Sequence, residues 1–561
     1  MPRLAPLGAA CLALLVGAPP AIASGNLDNG FGAGGVLVVS VGDGGQSAGN
    51  GIAVAPSGGL RAAGEAIDGP ESKFAFLRLD ANGGLLGTTL TSVGGDAAAA
   101  ALFTGADGRS LLAGYGFAAG NHFGLARYGD DGSLDTAGFG SGGTLVVPVG
   151  GGGDSAARAV AGYGPDQAVA AGWALDAGTR KVAIVRVLAG GTADPSFAAV
   201  FTAGDGGEAS ANAVASQADG KVVVAGYARD GGSIKAALIR RVDTGAPDSG
   251  FGNPSGIVLV PAGDGGEAIA NALAIQPDGK LLVAGYARDG GDTKVMLARF
   301  NADGSPDGGF GSGGTVLSAI GDGDDVAASA LALQLDGRIV VAGHATDSGG
   351  TNLMAARYNA DGSPDGSFGT GGVSLIPLGD DGTAEANGLA IQGSRAVLTG
   401  YASDAGELKT VFAGVTLVDS PADSTPPRLF ASLTHKRFRV GRGRSPFGAR
   451  RRKRAPVGTT FRYRLSEAAR VTIRLERALP GVRRGKRCVK PTRRRHGKRC
   501  TRFTRVGRLV RESPKGRSRV PFNGRIKRRA LRRGKYRAVL RAVDAAGNKS
   551  AARKLNFKVV R

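Results

Sequence analysis

The sequence predicts an all-β protein, a seven-bladed β-propeller followed by a small Ig-like or fibronectin-like β-sandwich. Three observations carry this. Nearly the same phrase, an apolar run closing on Ala-Gly-aromatic-Ala, recurs seven times, with its glycine at Gly64, Gly114, Gly172, Gly226, Gly285, Gly343 and Gly400, at steps of 50, 58, 54, 59, 58 and 57 residues. The runs are short, rich in Val, Ile and Leu, and bounded by Asp-Gly or Gly-Gly, which marks strands joined by tight turns. Composition then changes abruptly after a stretch, Pro421 to Pro427, that holds three prolines.

The unit around Gly285 shows the elements in order. Ala270 to Gln276 is a first strand, Pro277-Asp278-Gly279 a turn, and Lys280 to Ala287 a second strand. After a polar loop, Lys294 to Phe300 is a third strand. The turn-rich segment through Phe310-Gly311-Ser312-Gly313-Gly314 leads into a fourth at Thr315 to Ile320. Glycine makes up 97 of 561 residues, and no stretch beyond the leader repeats with a helical period. Four strands per unit, in a unit of this length, describe a propeller blade, and seven copies fall in the usual range of roughly four to eight. An open β-solenoid is the competing architecture, but its coils need only about 20 to 30 residues.

The phrases Gln276-Pro277-Asp278-Gly279-Lys280-Leu281-Leu282-Val283-Ala284-Gly285-Tyr286, Ala356-Arg357-Tyr358-Asn359-Ala360-Asp361-Gly362-Ser363 and Phe368-Gly369-Thr370-Gly371-Gly372 resemble the bacterial delta-60 repeat family. The resemblance covers about residues 26 to 420 and implies propeller blades, with nothing said of activity. By analogy with other propellers, the Pro-Asp-Gly hairpin supplies strands A and B, the Leu-Ala-Arg-Phe run strand C, and the segment after Phe-Gly-x-Gly-Gly strand D. The first D strand, Gly35 to Val41, then has no blade of its own and is expected to pair with Lys409 to Leu417, closing the ring and removing its edges.

Met1-Pro2-Arg3, an apolar stretch through Val16, and Ala21-Ile22-Ala23 before Ser24 read as a secretory signal, residues 1–23. The stretch is shorter than the roughly 20 apolar residues of a membrane span and is broken by prolines, so no transmembrane segment is expected. Cys11 lacks the setting of a lipid-attachment site. The protein is expected to be secreted, in part associated with the cell wall. Cys488 and Cys500 are the cysteines left in the mature chain and read as a disulfide, contributing about 3 kcal/mol in the chain-entropy model. Half of a zinc site is the alternative, with His496 as its one nearby histidine.

The domains expected are a propeller at 24–420, a linker at 421–427 and a sandwich at 428–561. Residues 421–561 carry 47 Lys and Arg against 5 Asp and Glu, a net of +42, and the preceding residues carry 23 against 41, a net of −18. Charge this dense favours disorder. Yet Phe461, Tyr463 and Leu465, and again Val471, Ile473 and Leu475, alternate with polar residues as half-buried strands do. Leu531, Gly534 and Tyr536 before a late strand resemble the tyrosine corner of Ig-like sandwiches. Gly458-Thr459-Thr460-Phe461-Arg462-Tyr463-Arg464-Leu465-Ser466-Glu467-Ala468 resembles a C-terminal module of secreted proteins from high-GC bacteria, which implies no catalytic role. Arg450, Arg451, Arg452, Lys453 and Arg454, with Arg493, Arg494 and Arg495, are expected to lie in loops, around Arg450 to Arg454 and Arg483 to Arg499, that bind polyanions.

Candidates for chemistry are few. Histidine occurs at His122, His344, His435 and His496, and His344 stands where other repeats have Tyr115, Tyr227, Tyr286 and Tyr401. An Asp follows each D strand: Asp43, Asp96, Asp154, Asp205, Asp264, Asp322 and Asp380. With Asp68, Asp230, Asp289, Asp347 and Asp404 between strands B and C, they are expected to make one face acidic. Such carboxylates either cap their own turns or bind a cation or basic partner. Gly321-Asp322-Gly323-Asp324-Asp325 is the calcium candidate, without EF-hand spacing, and no other cofactor is expected. The strand C arginines Arg78, Arg127, Arg186, Arg240, Arg299 and Arg357, replaced by Gly414 in the last repeat, are expected to pair with Asp135, Asp194, Asp248, Asp307 or Asp365 as architecture.

These features point to an exported, non-catalytic binding or cell-surface protein. The propeller face would recognise a ligand or protein partner, and the basic module would attach to an anionic envelope polymer or acidic polysaccharide. Nucleic acid is disfavoured by export. The acidic face is also a candidate dock for the basic tail. The alternative is an exported hydrolase or lyase acting on glycans, since propellers host such activities.

Overall fold

The computed structural model describes residues 24–417, 426–441 and 455–560, apart from residues 165, 198, 261, 322–324, 486, 492–496, 527–528 and 544–548. The expected signal peptide and most of the expected linker lie outside these residues. The protein is all-β: among the described residues the sole helical element is a 3-10 turn at Pro195–Phe197.

Seven four-stranded sheets are present among the described residues. In the sheet around Gly285 the strands are Ala268–Ile275, Leu281–Asp289, Asp292–Phe300 and Thr315–Ser318, all antiparallel and in chain order. The A, B, C, D phase of the sequence reading therefore describes this sheet. It also describes the chain ends. Val36–Val39 pairs with Glu407–Thr416, Val36 opposite Ala413 and Val39 opposite Thr410, so the first D strand completes the last sheet.

The recurrent glycine has a steric cause. Each A strand bulges opposite it, with one residue unpaired between Ala270 and Ala272, for example. A Cβ added at Gly285 would stand 1.9 Å from the Ile269 carbonyl oxygen, and the other six glycines show 1.8 to 2.0 Å to the equivalent oxygen. No side chain fits so close an approach of two strands.

Successive sheets bury a shared apolar core. Phe310 and Tyr358 pack between the fifth and sixth sheets, and Phe368 and Val411 between the sixth and seventh. Phe31, Leu60, Leu77, Val397 and Phe412 form a core between the seventh and first.

Residues 426–441 and 455–560 form two larger sheets over one core, with a two-stranded ribbon of Arg525–Ile526 and Arg529–Ala530 beside them. A three-stranded sheet contains Leu429–Leu433, Thr459–Leu465 and Gly516–Phe522. A larger one orders Arg437–Arg439, Arg553–Val560, Gly534–Val543 and Ala469–Arg484, with Arg499–Ser513 on the far side of the last. Phe461, Tyr463 and Leu465 from the first sheet meet Val471, Ile473, Leu475 and Tyr536 from the second. The Tyr536 hydroxyl donates to the Arg532 carbonyl, as a tyrosine corner does. The segment from Arg483 to Arg499, expected as a loop, is instead partly strand. Ala469–Arg484 and Arg499–Ser513 form a long hairpin reaching Val482 opposite Arg499, and Arg487–Val489 folds back on it. The Cys488–Cys500 disulfide, Cα atoms 6.0 Å apart, ties this tip.

Candidate functional site

The bulges leave one residue of each A strand unpaired. These residues are Asn50, Ala100, Arg158, Asn212, Asn271, Ser329 and Asn387. The asparagines tie neighbouring strands together. Asn50 Nδ2 donates to the Ala99 carbonyl at 2.9 Å, Asn212 to Ala270 at 3.1 Å, Asn271 to Ala328 at 3.0 Å and Asn387 to Gly49 at 3.2 Å. The belt is interrupted at Ser329 and at Ala100 and Arg158, the last two side by side. There a cavity of about 400 Å³ opens, lined by Asn50, Ala100, Tyr115, Asn121, Arg158 and Trp173 among others.

The residue after each recurrent glycine forms a second tier, and its charges are segregated. Tyr286 donates to Glu267 Oε1 at 2.5 Å, and Tyr401 is hydrogen-bonded to Glu385. Burial, then these carboxylates, push both phenols well above their ordinary range. His344 sits between Asp325, 3.4 Å from Nε2, and Glu385, 3.6 Å from Nδ1. Burial also raises Glu65. The opposite sector is cationic: the Arg180 guanidinium lies 4.3 Å above the Trp173 ring, with Nη1 3.5 Å from the Tyr227 hydroxyl. Burial, then Arg180, holds Arg158 below the usual arginine range.

The recurrent aspartates clasp turns. Asp43, Asp205, Asp264 and Asp380 accept a backbone N–H from the following sheet's B–C turn, at Gly69, Gly231, Gly290 and Ala405. Asp96 and Asp154 do not share that position. They stand immediately before strand A and accept from Ser72 and Asn121, in the turn of the preceding sheet. Asp322 and Asp324 of the calcium candidate lie outside the described residues. The face is less acidic than expected, because Asp68, Asp230, Asp289 and Asp404 are each paired with the lysine five residues on, Lys73, Lys235, Lys294 and Lys409, at 2.5 to 2.7 Å. Asp176 and Lys181 make a fifth such pair. This Asp-x4-Lys spacing was the signal the sequence reading missed. Asp347 lacks the lysine and caps Gly349.

The strand C arginines form a structural clasp. Arg127, Arg186, Arg240, Arg299 and Arg357 meet Asp135, Asp194, Asp248, Asp307 and Asp365 at 2.6 to 2.9 Å. Each lies over a phenylalanine, 4.4 to 4.9 Å from Phe139, Phe197, Phe251, Phe310 or Phe368. Each also donates to a carbonyl near the next sheet's loop, as Arg299 does to Ala360 at 2.6 Å. Arg78 departs from the pattern. Its repeat is the shortest and lacks the Phe-Gly-x-Gly-Gly loop, and the neighbouring Arg61 pairs with Asp130 instead.

His122, expected in a polar loop, is buried at the start of strand C, and its Nδ1 has no partner among the described residues. The His435 backbone N–H donates to Thr459 Oγ1. Of the polyanion candidates, Arg450, Arg451, Arg452, Lys453, Arg454, Arg493, Arg494 and Arg495 all lie outside the described residues, as does His496. The described basic surface is elsewhere. On the outer face of the three-stranded sheet, Arg462 is opposite Arg519 and Arg464 opposite Arg517, with Ser432 and Phe430 completing the two rows. All four arginines are exposed. Their guanidiniums meet no carboxylate among the described residues, whereas Glu476 and Glu512 serve Arg474, Arg537 and Arg470 of the larger sheet.

Residues 105–137, 169–197, 217–251, 276–310 and 334–368 match the model described as "Domain of unknown function (DUF5122) beta-propeller". No curated protein sequence matches the chain. Among solved structures, Sqt1 from Chaetomium thermophilum is 12% identical, covering 68% of this chain and 99% of its own at a TM-score of 0.34. A second crystal structure of that protein gives 13%, 68%, 97% and 0.35. A third, with Sqt1 bound to the N-terminus of the ribosomal protein L10, gives 12%, 68%, 98% and 0.34. No helix among the described residues is long and apolar enough to cross a membrane. With the four-stranded sheets and the matched repeats together, the chain is a β-propeller repeat protein.

Proposed function

We propose that this is an exported, non-catalytic binding protein of the delta-60 repeat kind. Its seven sheets are the blades of one closed propeller that presents the channel mouth to a ligand or partner. Its Ig-like basic module attaches the molecule to an anionic envelope polymer. The observation that carries the attachment is the face of Arg462, Arg464, Arg517 and Arg519. Like charges directly opposite one another destabilise a sheet, and no carboxylate among the described residues offsets these. A polyanion laid across the two rows would, with exposed Phe430 at the edge to meet its apolar parts.

The test uses the full chain on immobilised dextran sulfate, eluted with increasing salt. Retention that falls steeply over roughly 0.05 to 0.5 M salt is expected, since exposed charges are screened in that range. A variant carrying Arg462→Gln, Arg464→Gln, Arg517→Gln and Arg519→Gln should fold and elute at lower salt. Retention indifferent to salt, or unchanged in that variant, would overturn the attachment. The enzyme reading would use His344, held between Asp325 and Glu385, as its acid-base group. Cleavage of an acidic polysaccharide that is lost in His344→Gln would replace the binding reading.

A further inference from the structure

We propose that the gap in the asparagine belt is a binding site for a ring-sized carboxylate of the hexuronate type, anchored by Arg158 and stacked against Trp173 and Tyr115. The inference rests on the propeller's being a ligand-presenting scaffold and names the ligand class.

The argument begins with the broken repeat. Four of seven bulge positions are asparagines whose amides bond the next strand or its asparagine. The other three positions give up this tie: Ser329 stands alone between two asparagine-bearing sheets, whereas Ala100, which removes the side chain, and Arg158, which brings a charge, are adjacent. Arg158 is open to the channel yet surrounded by protein, and it has neither hydrogen bond nor ion pair among the described residues. Its charged neighbour is a second arginine, Arg180, and no carboxylate is among the groups that shift it. Two arginines brought together with no carboxylate between them repel one another, a cost that the exposed position of Arg158 reduces by screening. Departures from a repeat that weaken the fold without local compensation are expected where function is.

The cavity supplies the remaining requirements. Its volume of about 400 Å³ suits a single ring with substituents. The Arg158 fork matches a carboxylate in two parallel hydrogen bonds. Tyr115 and Trp173, one face of which carries the Arg180 guanidinium, line the cavity, and Asn121 adds an amide for hydroxyl groups, while the Asn50 amide beside it is held by Ala99 and Asn387. Glu267, Asp325 and Glu385 lie by the fifth to seventh sheets, away from this sector, while Glu65, on the first sheet, is raised by burial and is not among the groups that act on Arg158.

Trp173 is the one tryptophan of the chain, so its emission reports this site in the intact protein. Titration with glucuronate should change that emission saturably, and glucose should not. Arg158→Gln should weaken the response at least about tenfold, the usual loss for a hydrogen bond to a charged group. Ala100→Asn restores the belt and should abolish the response with the thermal midpoint unchanged or raised. A uronate oligosaccharide run in parallel separates the sources: a response to both means that the free sugar acid is accepted, and a response to the oligomer alone means that the end of an acidic polymer is. Absence of a saturable response to either, an Arg158→Gln variant that responds as the parent does, or inorganic phosphate matching glucuronate would each overturn the proposal. None of these outcomes touches retention on dextran sulfate, which is read on the C-terminal module.

Discussion

At Arg357 an ion pair, a cation–π contact and an inter-sheet hydrogen bond fall on one side chain. It is fully buried, 2.8 Å from Asp365, over Phe368, with Nη1 bonded to the Leu417 carbonyl at 2.7 Å. Arg357→Ala leaves the buried Asp365 to Arg338 at 3.4 Å and to Ser367, and is expected to destabilise the propeller by about 3 kcal/mol, the lower end for a broken buried pair, measured by denaturant unfolding. The same clasp gives a pH signature. Hydrogen bonds from Lys280, Gly309 and Arg299 hold Asp307 at about 2, and Ser196 with Arg186 does the same for Asp194. Both lie below the unfolded value of about 3.9, so their contribution is whole above that value and is lost as pH falls toward 2. Asp307→Asn should lower stability by a constant amount above pH 5 and flatten its decline between about pH 4 and 2, as followed by thermal unfolding. These pairs were legible in the sequence because arginine and aspartate recur eight residues apart. Their counterpart in the last sheet was not. Gly414 leaves room for Phe31, and the arginine moves across the hairpin to Arg395, which binds Asp28 at 2.5 Å. Comparison of like positions between repeats does not see a residue transferred to the opposite strand.

For the strands, the decisive contact is the one at the bulge. Gly285→Ala drives a methyl group into the Ile269 carbonyl oxygen and is expected to cost about 1 to 3 kcal/mol, on the scale of an overpacked core. The same substitution at Gly290, in an exposed turn where nothing lies within 4 Å, strains only its own positive φ and should cost about 1 kcal/mol. Chemical denaturation of the two variants separates close approach from turn conformation, and equal losses would contradict the bulge explanation. The strand order within a repeat was readable from its turns. The bulge itself was not, because an extra residue in strand A leaves the apolar pattern of Ala270 to Ile275 almost intact.

Over the whole molecule, closure depends on segments nearly the full propeller length apart. Arg395 reaches the Ala81 carbonyl at 2.9 Å and Gly32 donates to Asn82 at 2.8 Å, so the N-terminal segment holds the last sheet against the first. Removal of residues 24–41 uncovers the edge of Glu407–Thr416 and the core around Phe412. Such a truncated protein is expected to associate or aggregate, seen as an earlier elution in size exclusion, while the intact chain does not. An unchanged elution volume would show that the final sheet stands without its outer strand.

By itself the sequence determined the repeat, its strands and turns, the pairing of its two ends and the disulfide, because each follows from local periodicity or from a cysteine pair. Tertiary structure decided which charges matter. Lysines five residues from the turn aspartates neutralise much of the expected acidic face, while four arginines two apart on separate strands become a single unpaired surface. Likewise Ala100 and Arg158, 58 residues apart, become neighbours only when the sheets close into a ring. Charge acts through space, and this chain brings distant repeats within a few ångströms.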